Sequence, residues 1–241
     1  MTDTTAPRRA TAWQTARVVA IRTETPSAKT FTLALERPAE RSAGQHFLLR
    51  LTAPDGYTAT RSYSVANDPQ HTDQIDLTVE RLVDGEVSTF LHDEVVVGDE
   101  IEVRGPIGEW FVWDGDGRAL LLGGGSGVVP LAAMVRQARR TQVGGESRVH
   151  LVLSVRSAAE LYYADELPGR DVTIVYTRAA PPDFARPPGR LATGDLPRDF
   201  LADITTYVCG SPGFCDAATD LAIACGIPVE RIRVERFGPT G

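Results

Sequence analysis

The 241-residue chain contains only three cysteines, Cys209, Cys215 and Cys225, and no two of them form a CxxC pair. This spacing excludes a zinc ribbon and an iron–sulfur centre assembled from paired cysteines. The four histidines are scattered at positions 46, 71, 92 and 150. The sequence therefore predicts no metal site.

Long apolar runs and a basic excess are also missing. No apolar stretch approaches the roughly 18 residues that a membrane span needs, and the first residues lack the apolar region of a signal peptide. The net charge of −7 argues against nucleic acid or an anionic membrane as the main partner. Few cysteines, in odd number, are typical of a reducing compartment. We therefore expect a cytoplasmic protein without membrane insertion, whose residues 1–12 form a disordered tail.

The first half of the chain, residues 13–113, is patterned as short strands. They alternate or are rich in β-branched residues, are broken by Gly, Pro and Asp turns, and are not separated by long helices, which is typical of an antiparallel barrel or sandwich. One short helix is predicted over 87–93. The predicted strands cover 13–22, 30–36, 46–52, 61–65, 75–82 and 100–104.

The pattern changes at the turn-rich segment 113–118, so a second domain is predicted over 114–241. Apolar strands alternate there with helical stretches, which indicates a parallel sheet covered on both faces. The strands are predicted at 119–123, 148–155, 171–177, 205–210 and 231–237, and the helices at 130–141, 158–167 and 213–226. The predicted fold is a two-domain one, an antiparallel β-barrel followed by an α/β domain with a parallel sheet.

A glycine-rich loop joins the first strand of this second domain to its helix. The loop contains Gly124, Gly125, Ser126 and Gly127. Glycines let backbone N–H groups approach a pyrophosphate closely, and the following helix N-terminus favours an anion. The loop is neither GxGxxG nor a Walker loop. A glycine-rich turn without a ligand is the alternative.

A second motif, Arg-Ser-Tyr-Ser at 61–64, lies in a predicted barrel strand. Arg61 offers a bidentate grip on phosphate, Tyr63 a flat face and a hydroxyl, and Ser64 a hydrogen bond to a ring nitrogen. Strand alternation places Tyr63 and Ser64 on opposite faces, so a bend is needed for both to reach one ligand. A barrel strand with polar residues is the alternative.

Taken together, several motifs resemble the ferredoxin–NADP reductase superfamily, and they occur in the order of that family. The likeness covers residues 13 to 241. It is carried by RSYSVAN at 61–67, GEVS at 85–88, GPIGEWF at 105–111, GGGSG at 123–127, CG at 209–210 and the terminal VERFGPTG.

The resemblance implies a flavin site in the barrel and a dinucleotide site in the second domain. Arg61 matches the arginine that grips the flavin phosphate, Tyr63 the tyrosine that lies against the isoalloxazine, and Ser64 the serine that hydrogen-bonds flavin N5. Val65, next to Ser64, is a further predicted flavin-binding residue. The FAD pyrophosphate falls on the segment with Gly85, Val87 and Ser88, which favours FAD over FMN. The dinucleotide phosphates fall on Gly124, Gly125, Ser126 and Gly127.

The resemblance also implies the residues beside the reacting rings. Cys209 and Gly210 match the pair beside the nicotinamide, Glu235 the active-site glutamate, and Phe237 the aromatic residue that covers the flavin. Ser64, Cys209 and Glu235 are thus the predicted catalytic residues. The alternatives are a buried inert thiol at Cys209 and a plain surface carboxylate at Glu235.

Basic residues after two predicted strands favour NADPH over NADH, because a 2′-phosphate needs a cationic partner while a ribose diol prefers a carboxylate. The predicted binding residues are Arg156, Thr177, Arg178 and Arg190. Alternatively, these arginines are solvated or pair with Asp165, Glu166 or Asp183.

By resemblance, the chain is an NAD(P)H-dependent FAD reductase. It transfers hydride from NADPH to bound FAD, and then electrons to a separate acceptor such as a ferredoxin, a flavodoxin or an oxygenase component. A free-flavin or ferric reductase is the alternative within the same class. A non-catalytic flavin-binding subunit of a larger redox complex is the alternative outside it.

Overall fold

The computed structural model describes residues 12–142, 144–145 and 147–238. The first half forms six antiparallel strands in the order β4-β3-β6-β1-β2-β5. The predicted disordered tail lies almost wholly outside the described residues. The elements are β1 (Gln14–Thr25), β2 (Ala28–Leu35), β3 (His46–Thr52), β4 (Thr58–Ser64), β5 (Gln74–Glu80), α1 (Glu86–Asp93) and β6 (Glu100–Ile107).

The two outer strands of this sheet meet just after β4, which curls the sheet into a barrel. Val65 pairs with Leu77 of β5, and the next amide, of Ala66, donates to the Asp76 carbonyl at 2.8 Å. Alternate residues point inward and fill the interior, with Leu33, Phe47 and Leu77 almost completely buried. The barrel is the fold predicted for this half.

The second half is a five-stranded parallel sheet in the order β11-β10-β7-β8-β9. Its residues alternate between two apolar layers, as the fully apolar strands require. Leu121 packs with α2, while Leu120 and Leu122 pack with α3 on the opposite face. The elements are β7 (Arg118–Gly124), α2 (Val128–Thr141), β8 (Val149–Ser157), β9 (Val172–Ala179), β10 (Ile204–Gly210), α3 (Pro212–Ala224) and β11 (Ile232–Arg236).

The helix predicted over 158–167 is wrong. Only one 3-10 turn, Ala158–Glu160, forms there, and the chain then turns with Tyr163 at φ 56°. Leu161, Tyr162 and Tyr163 are all buried, so tertiary packing of these side chains overrides the local helical pattern. The other predicted helices and strands are present, with boundaries shifted by a few residues.

Strands of the parallel sheet anchor the connection between the two halves. The Tyr207 hydroxyl donates to the Val112 carbonyl at 2.7 Å, and Arg233 donates to the same oxygen at 2.8 Å. Phe111 packs edge-on against the Tyr207 ring, with centroids 5.3 Å apart. Within the described ranges, no helix has both the length and the apolar character needed to cross a membrane.

Candidate functional site

The Arg-Ser-Tyr-Ser strand sits where the barrel closes. Arg61 is exposed, Tyr63 is half-buried and Ser64 is buried, and the chain crosses directly from Ser64 to the β5 bridge at Val65. This crossing supplies the bend that strand alternation requires. Burial raises the pKa of Tyr63 to about 12, so its phenol is neutral at physiological pH and available as a hydrogen-bond donor.

The Gly85 segment presents a helix N-terminus near this strand. Ser88 donates to the Gly85 carbonyl at 3.0 Å and accepts from the Leu82 amide at 3.1 Å. Val87 is buried as well, so both side chains hold the loop rather than face solvent. Since the first N–H groups of a helix lack acceptors within it, the anion-binding capacity of α1 lies in its backbone.

The glycine loop and the Cys-Gly pair meet at the carboxyl edge of the parallel sheet. β7 and β10 are neighbours although they are the first and fourth strands of this sheet, and such a switch in strand order opens a ligand crevice. A Cβ on Gly127 would lie 2.2 Å from the Cys209 carbonyl oxygen, and one on Gly210 would lie 3.0 Å from the Gly124 carbonyl oxygen. Only glycine permits this approach.

The exposed side of the loop is open. Gly125 has φ 55°, and a Cβ placed on it would meet no atom within 4 Å. Gly124 is different, because a Cβ there would be 2.5 Å from the Phe214 ring. The loop is therefore closed toward β10 and α3 and open toward solvent, which leaves room for a phosphate at the start of α2.

Cys209 and Glu235 are paired across β10 and β11. Burial raises the pKa of the Cys209 thiol well above its usual value, and the neighbouring Glu235 adds to the effect. Burial also raises the pKa of Glu235 to about 7, and its Oε2 atom is enclosed without a hydrogen-bond partner in the part of the chain that the structure describes. A buried, unpartnered carboxyl oxygen is unusual, and a polar ligand group at this point would satisfy it.

Phe237 follows β11 and caps this region. Its amide donates to the Gly210 carbonyl at 2.8 Å, and its ring packs against an apolar cluster that contains Cys209 from the sheet and Ala66 and Phe111 from the barrel half. The structure therefore brings Phe237 to the boundary between the two halves. Residues 239–241 lie outside the described part.

The predicted dinucleotide-selecting residues gather at the ends of β8 and β9. The strand register sets Arg156 beside Thr177 and Arg178, and the Gly189 amide donates to the Tyr176 carbonyl at 2.9 Å, which brings Arg190 back to the same strand end. Glu160 lies 3.8 Å from Arg156, and Glu166 pairs with Arg136 instead. Among the described residues, Arg178 and Arg190 have no acidic partner within 4 Å.

No sequence motif indicates several residues at the boundary between the two halves, among them Tyr163, Arg136, Tyr207 and Arg233. Tyr163 lay inside a predicted helix and Arg136 on the polar side of α2. Neither carries a motif, because their partners are distant in sequence: Arg136 donates to the Ala66 carbonyl at 2.6 Å. The described residues contain no group of three or more His, Cys, Asp or Glu side chains suited to a metal.

The fold and these sites define a two-domain redox protein with one site for a flavin and another for a nicotinamide dinucleotide. Residues 15–112 match the oxidoreductase FAD-binding domain family, and residues 121–220 match the oxidoreductase NAD-binding domain family. The backbone-lined loops, the open space at Gly125 and the exposed Arg61 fit these two ligands.

Curated relatives are reductase components of oxygenases. The chain is 31% identical over 234 residues to the reductase component DmpP of phenol 2-monooxygenase from Pseudomonas sp. strain CF600, covering 88% of this chain and 62% of that protein. It is 29% identical to the ferredoxin–NAD(P)+ reductase component of the naphthalene 1,2-dioxygenase/salicylate 5-hydroxylase systems from Ralstonia sp., covering 93% and 69%. The chain thus spans less than two thirds of the length of the phenol 2-monooxygenase reductase.

Solved structures share the architecture. The FAD/NAD-binding domain of nitric oxide dioxygenase from Vibrio cholerae superposes with a TM-score of 0.80 at 23% identity, covering 96% of this chain and all of that one. The ferredoxin reductase of carbazole 1,9a-dioxygenase gives a TM-score of 0.78 at 25% identity, covering 94% and 70%. This chain belongs to the ferredoxin–NADP reductase superfamily.

Proposed function

We propose that the chain is an FAD-dependent NAD(P)H reductase that delivers electrons to a separate acceptor protein, an oxygenase component or a ferredoxin. The convergence of Gly127 on Cys209 and Gly210 carries the proposal. It forms a backbone-lined crevice at the strand switch, next to the buried carboxyl of Glu235. The reductase components among the relatives support the choice of acceptor.

We place the flavin against the barrel and the dinucleotide on the sheet. In this arrangement Arg61 binds the flavin phosphate, Tyr63, Val65 and Phe237 enclose the ring, and Ser64 donates to its reactive edge. The amides of the segment with Gly85, Val87 and Ser88 receive the second phosphate, which favours FAD over FMN. Gly124, Gly125, Ser126 and Gly127 hold the dinucleotide phosphates, and Gly210 and Cys209 flank the nicotinamide.

The bound flavin supplies the chemistry, since it accepts two electrons from a nicotinamide and releases them singly. The protein residues orient the two rings and exclude water. Cys209 acts as a neutral thiol, because burial disfavours its thiolate. Glu235, with a pKa of about 7, exchanges a proton readily near neutral pH.

Arg156, Arg178 and Arg190, together with Thr177, form the proposed 2′-phosphate site and favour NADPH. Guanidinium groups without acidic partners attract an added phosphate, and bidentate hydrogen bonds strengthen its binding. A carboxylate in this position would favour NADH instead. Arg156 already pairs with Glu160, at 3.8 Å, so the preference rests mainly on Arg178 and Arg190.

We further propose that the two domains divide between residues 113 and 114, and that the protein works in the cytoplasm. The bridge between Ala43 and Trp113 still belongs to the barrel, and the turn at 114–117 precedes β7. The odd number of cysteines fits a reducing compartment.

The acceptor is tested with FAD-loaded protein and NADPH in excess. NADPH oxidation is measured with a plant-type ferredoxin, with free FMN and with a ferric chelate at equal concentrations. Faster turnover with the ferredoxin supports the proposal. Faster turnover with FMN or the chelate would identify a free-flavin or ferric reductase, and a bound flavin that neither NADPH nor NADH reduces would indicate a non-catalytic flavin-binding subunit.

A further inference from the structure

One tyrosine of the second half hydrogen-bonds to the outer face of the barrel. The Tyr163 hydroxyl lies 2.5 Å from Thr78 Oγ1, which lies 2.8 Å from Thr30 Oγ1. Thr30 donates to Glu24 Oε1 at 2.6 Å, and the Tyr163 amide donates to Glu24 Oε2 at 3.2 Å. These contacts close a ring that joins three barrel strands to the segment after β8.

The direction of each hydrogen bond follows from the ring. Thr30 has one hydroxyl proton and gives it to Glu24, so it must accept from Thr78. Thr78 has then used its proton and accepts from Tyr163. Every hydroxyl therefore donates once, and the carboxylate of Glu24 is the final acceptor in this series of hydrogen bonds.

Tyr163 is held in a backbone conformation that a bulky residue rarely adopts. Its φ is 56°, in the left-handed region. The residue is 4% exposed, and Thr78 and Thr30 are buried with it. The conformation lets one residue offer both its amide and its hydroxyl to the barrel, and strained residues of this kind persist only where the surroundings hold them.

Arg136 connects this ring of contacts to the proposed ligand sites. Its guanidinium lies 4.6 Å from the centre of the Tyr163 ring and donates to the Ala66 carbonyl at 2.6 Å. Ala66 comes two residues after Ser64. Arg136 lies on α2. With a helical rise of about 1.5 Å per residue, it is about 13 Å along the helix axis from Gly127. The helix that begins at the dinucleotide loop is therefore fastened, in its middle, to the backbone beside the flavin residue Ser64.

We propose that Tyr163 is a positioning residue for transfer between nicotinamide and flavin, acting through Arg136 and α2. By holding the Arg136 guanidinium, whose hydrogen bond to the Ala66 carbonyl fastens α2 to the barrel, Tyr163 fixes the distance between the glycine loop and Ser64, and so the alignment of the two rings. The inference rests on the proposed reductase function. Small misalignments slow a transfer step strongly while binding at each separate site is preserved.

The test compares Tyr163→Phe and Thr78→Val with matched controls. Tyr163→Phe keeps the ring and removes the hydroxyl, and Thr78→Ser restores a hydroxyl at position 78. Tyr162→Phe is the control for the tyrosine, because Tyr162 is buried beside Tyr163 and its hydroxyl makes no hydrogen bond to the described residues. All variants are loaded with FAD and mixed anaerobically with increasing NADPH.

We expect Tyr163→Phe and Thr78→Val each to lower the limiting rate of flavin reduction roughly 5- to 50-fold, with dissociation constants for FAD and NADPH changed less than about twofold. Thr78→Ser and Tyr162→Phe should keep the unmodified rate. The double variant Tyr163→Phe/Thr78→Val should be no slower than Thr78→Val alone, because Thr78→Val already removes the Tyr163–Thr78 hydrogen bond that Tyr163→Phe removes.

A second measurement needs no ligand. Amide hydrogen exchange in segments 161–167 and 76–80 should accelerate in Tyr163→Phe and stay unchanged in Tyr162→Phe. Faster exchange with an unmodified limiting rate would overturn the positioning role and leave the reductase function intact. Failure of the unmodified protein to reduce its flavin with NADPH or NADH would overturn the proposed function and, with it, the positioning role.

Discussion

Gly127 lies so close to Cys209 that a side chain on the glycine would overlap the Cys209 carbonyl group, at 2.2 Å. The contact joins the loop after β7 to the end of β10, the two strands between which the strand order switches. The loop geometry is thus set by the neighbouring strand as well as by its own glycines. This gives the crevice a fixed shape before any ligand binds, which favours tight binding.

Gly127→Ala should both lower the stability of the protein and weaken dinucleotide binding. The added methyl group must displace the Cys209 backbone, which we expect to lower the free energy of unfolding by about 1–3 kcal/mol. The same displacement should raise the KM for NADPH. Urea unfolding and steady-state kinetics measure the two effects. Gly194→Ala is the control, since a Cβ there meets nothing within 4 Å; an equal loss in both variants would contradict the account.

Glu235 should make the protein less stable as the pH rises. Its pKa is raised from 4.5 to about 7 in the folded protein, so the folded state binds more protons than the unfolded state in this range. The free energy of unfolding should therefore fall by at most about 3 kcal/mol between about pH 4.5 and pH 7, at about 1.4 kcal/mol per pH unit. Above pH 7 it should level off.

Glu235→Gln tests this prediction by urea unfolding at pH 5 and pH 8. The variant should gain stability relative to the unmodified protein at pH 8 and show a smaller pH dependence. Glu230→Gln, at an exposed position, should follow the unmodified protein. An identical pH dependence in Glu235→Gln and the unmodified protein would show that the carboxyl ionises freely.

Arg178→Ala and Arg190→Ala should each weaken the preference for NADPH. Loss of one charged hydrogen bond to the 2′-phosphate lowers kcat/KM for NADPH roughly tenfold or more, while kcat/KM for NADH should change less than about twofold. Arg231→Ala is the control, because Arg231 pairs with Asp203 at 2.6 Å at the opposite edge of the sheet. Equal losses with both dinucleotides would contradict a 2′-phosphate site.

Arg61→Ala should weaken FAD binding without unfolding the barrel. Arg61 is exposed and, among the described residues, donates only to the carbonyl of Thr60, at 2.9 Å, so its removal leaves the barrel intact. We expect the dissociation constant for FAD to rise roughly 10- to 100-fold, measured by flavin fluorescence. Arg17→Ala, which removes an exposed ion pair with Glu100, should bind FAD normally. Unchanged FAD affinity in Arg61→Ala would remove Arg61 from the site.

The fold was largely predictable because its signals are local. The apolar residues of β7, β8 and β10 are buried, and the glycine loop marks its own strand-to-helix turn. The helix prediction for segment 158–167 was wrong because the apolar side chains of this segment make tertiary contacts and do not form one face of a helix. Tyr163 packs against the outer face of the barrel through Thr78 and Glu24, residues more than 80 positions earlier, which no local pattern encodes.

For the candidate site, the sequence allowed predictions only for residues that belong to short motifs. The positions of Ser64, Gly127 and Cys209 could be proposed from short sequence patterns. The contact between Gly127 and Cys209, and the enclosure of Glu235 Oε2, arise from strand order and packing. Ser88 is an example, since its motif indicates a pyrophosphate-binding segment but does not reveal that the Ser88 hydroxyl bonds the Gly85 carbonyl and the Leu82 amide.

The most direct test of the reductase function is anaerobic reduction of the FAD-loaded protein by one equivalent of dinucleotide in a stopped-flow spectrophotometer. We predict loss of the flavin absorbance with both dinucleotides and a faster loss with NADPH than with NADH. A faster loss with NADH would contradict the roles of Arg178 and Arg190 but would leave the reductase function intact. A protein that binds FAD but keeps its full absorbance with either dinucleotide would contradict the reductase function.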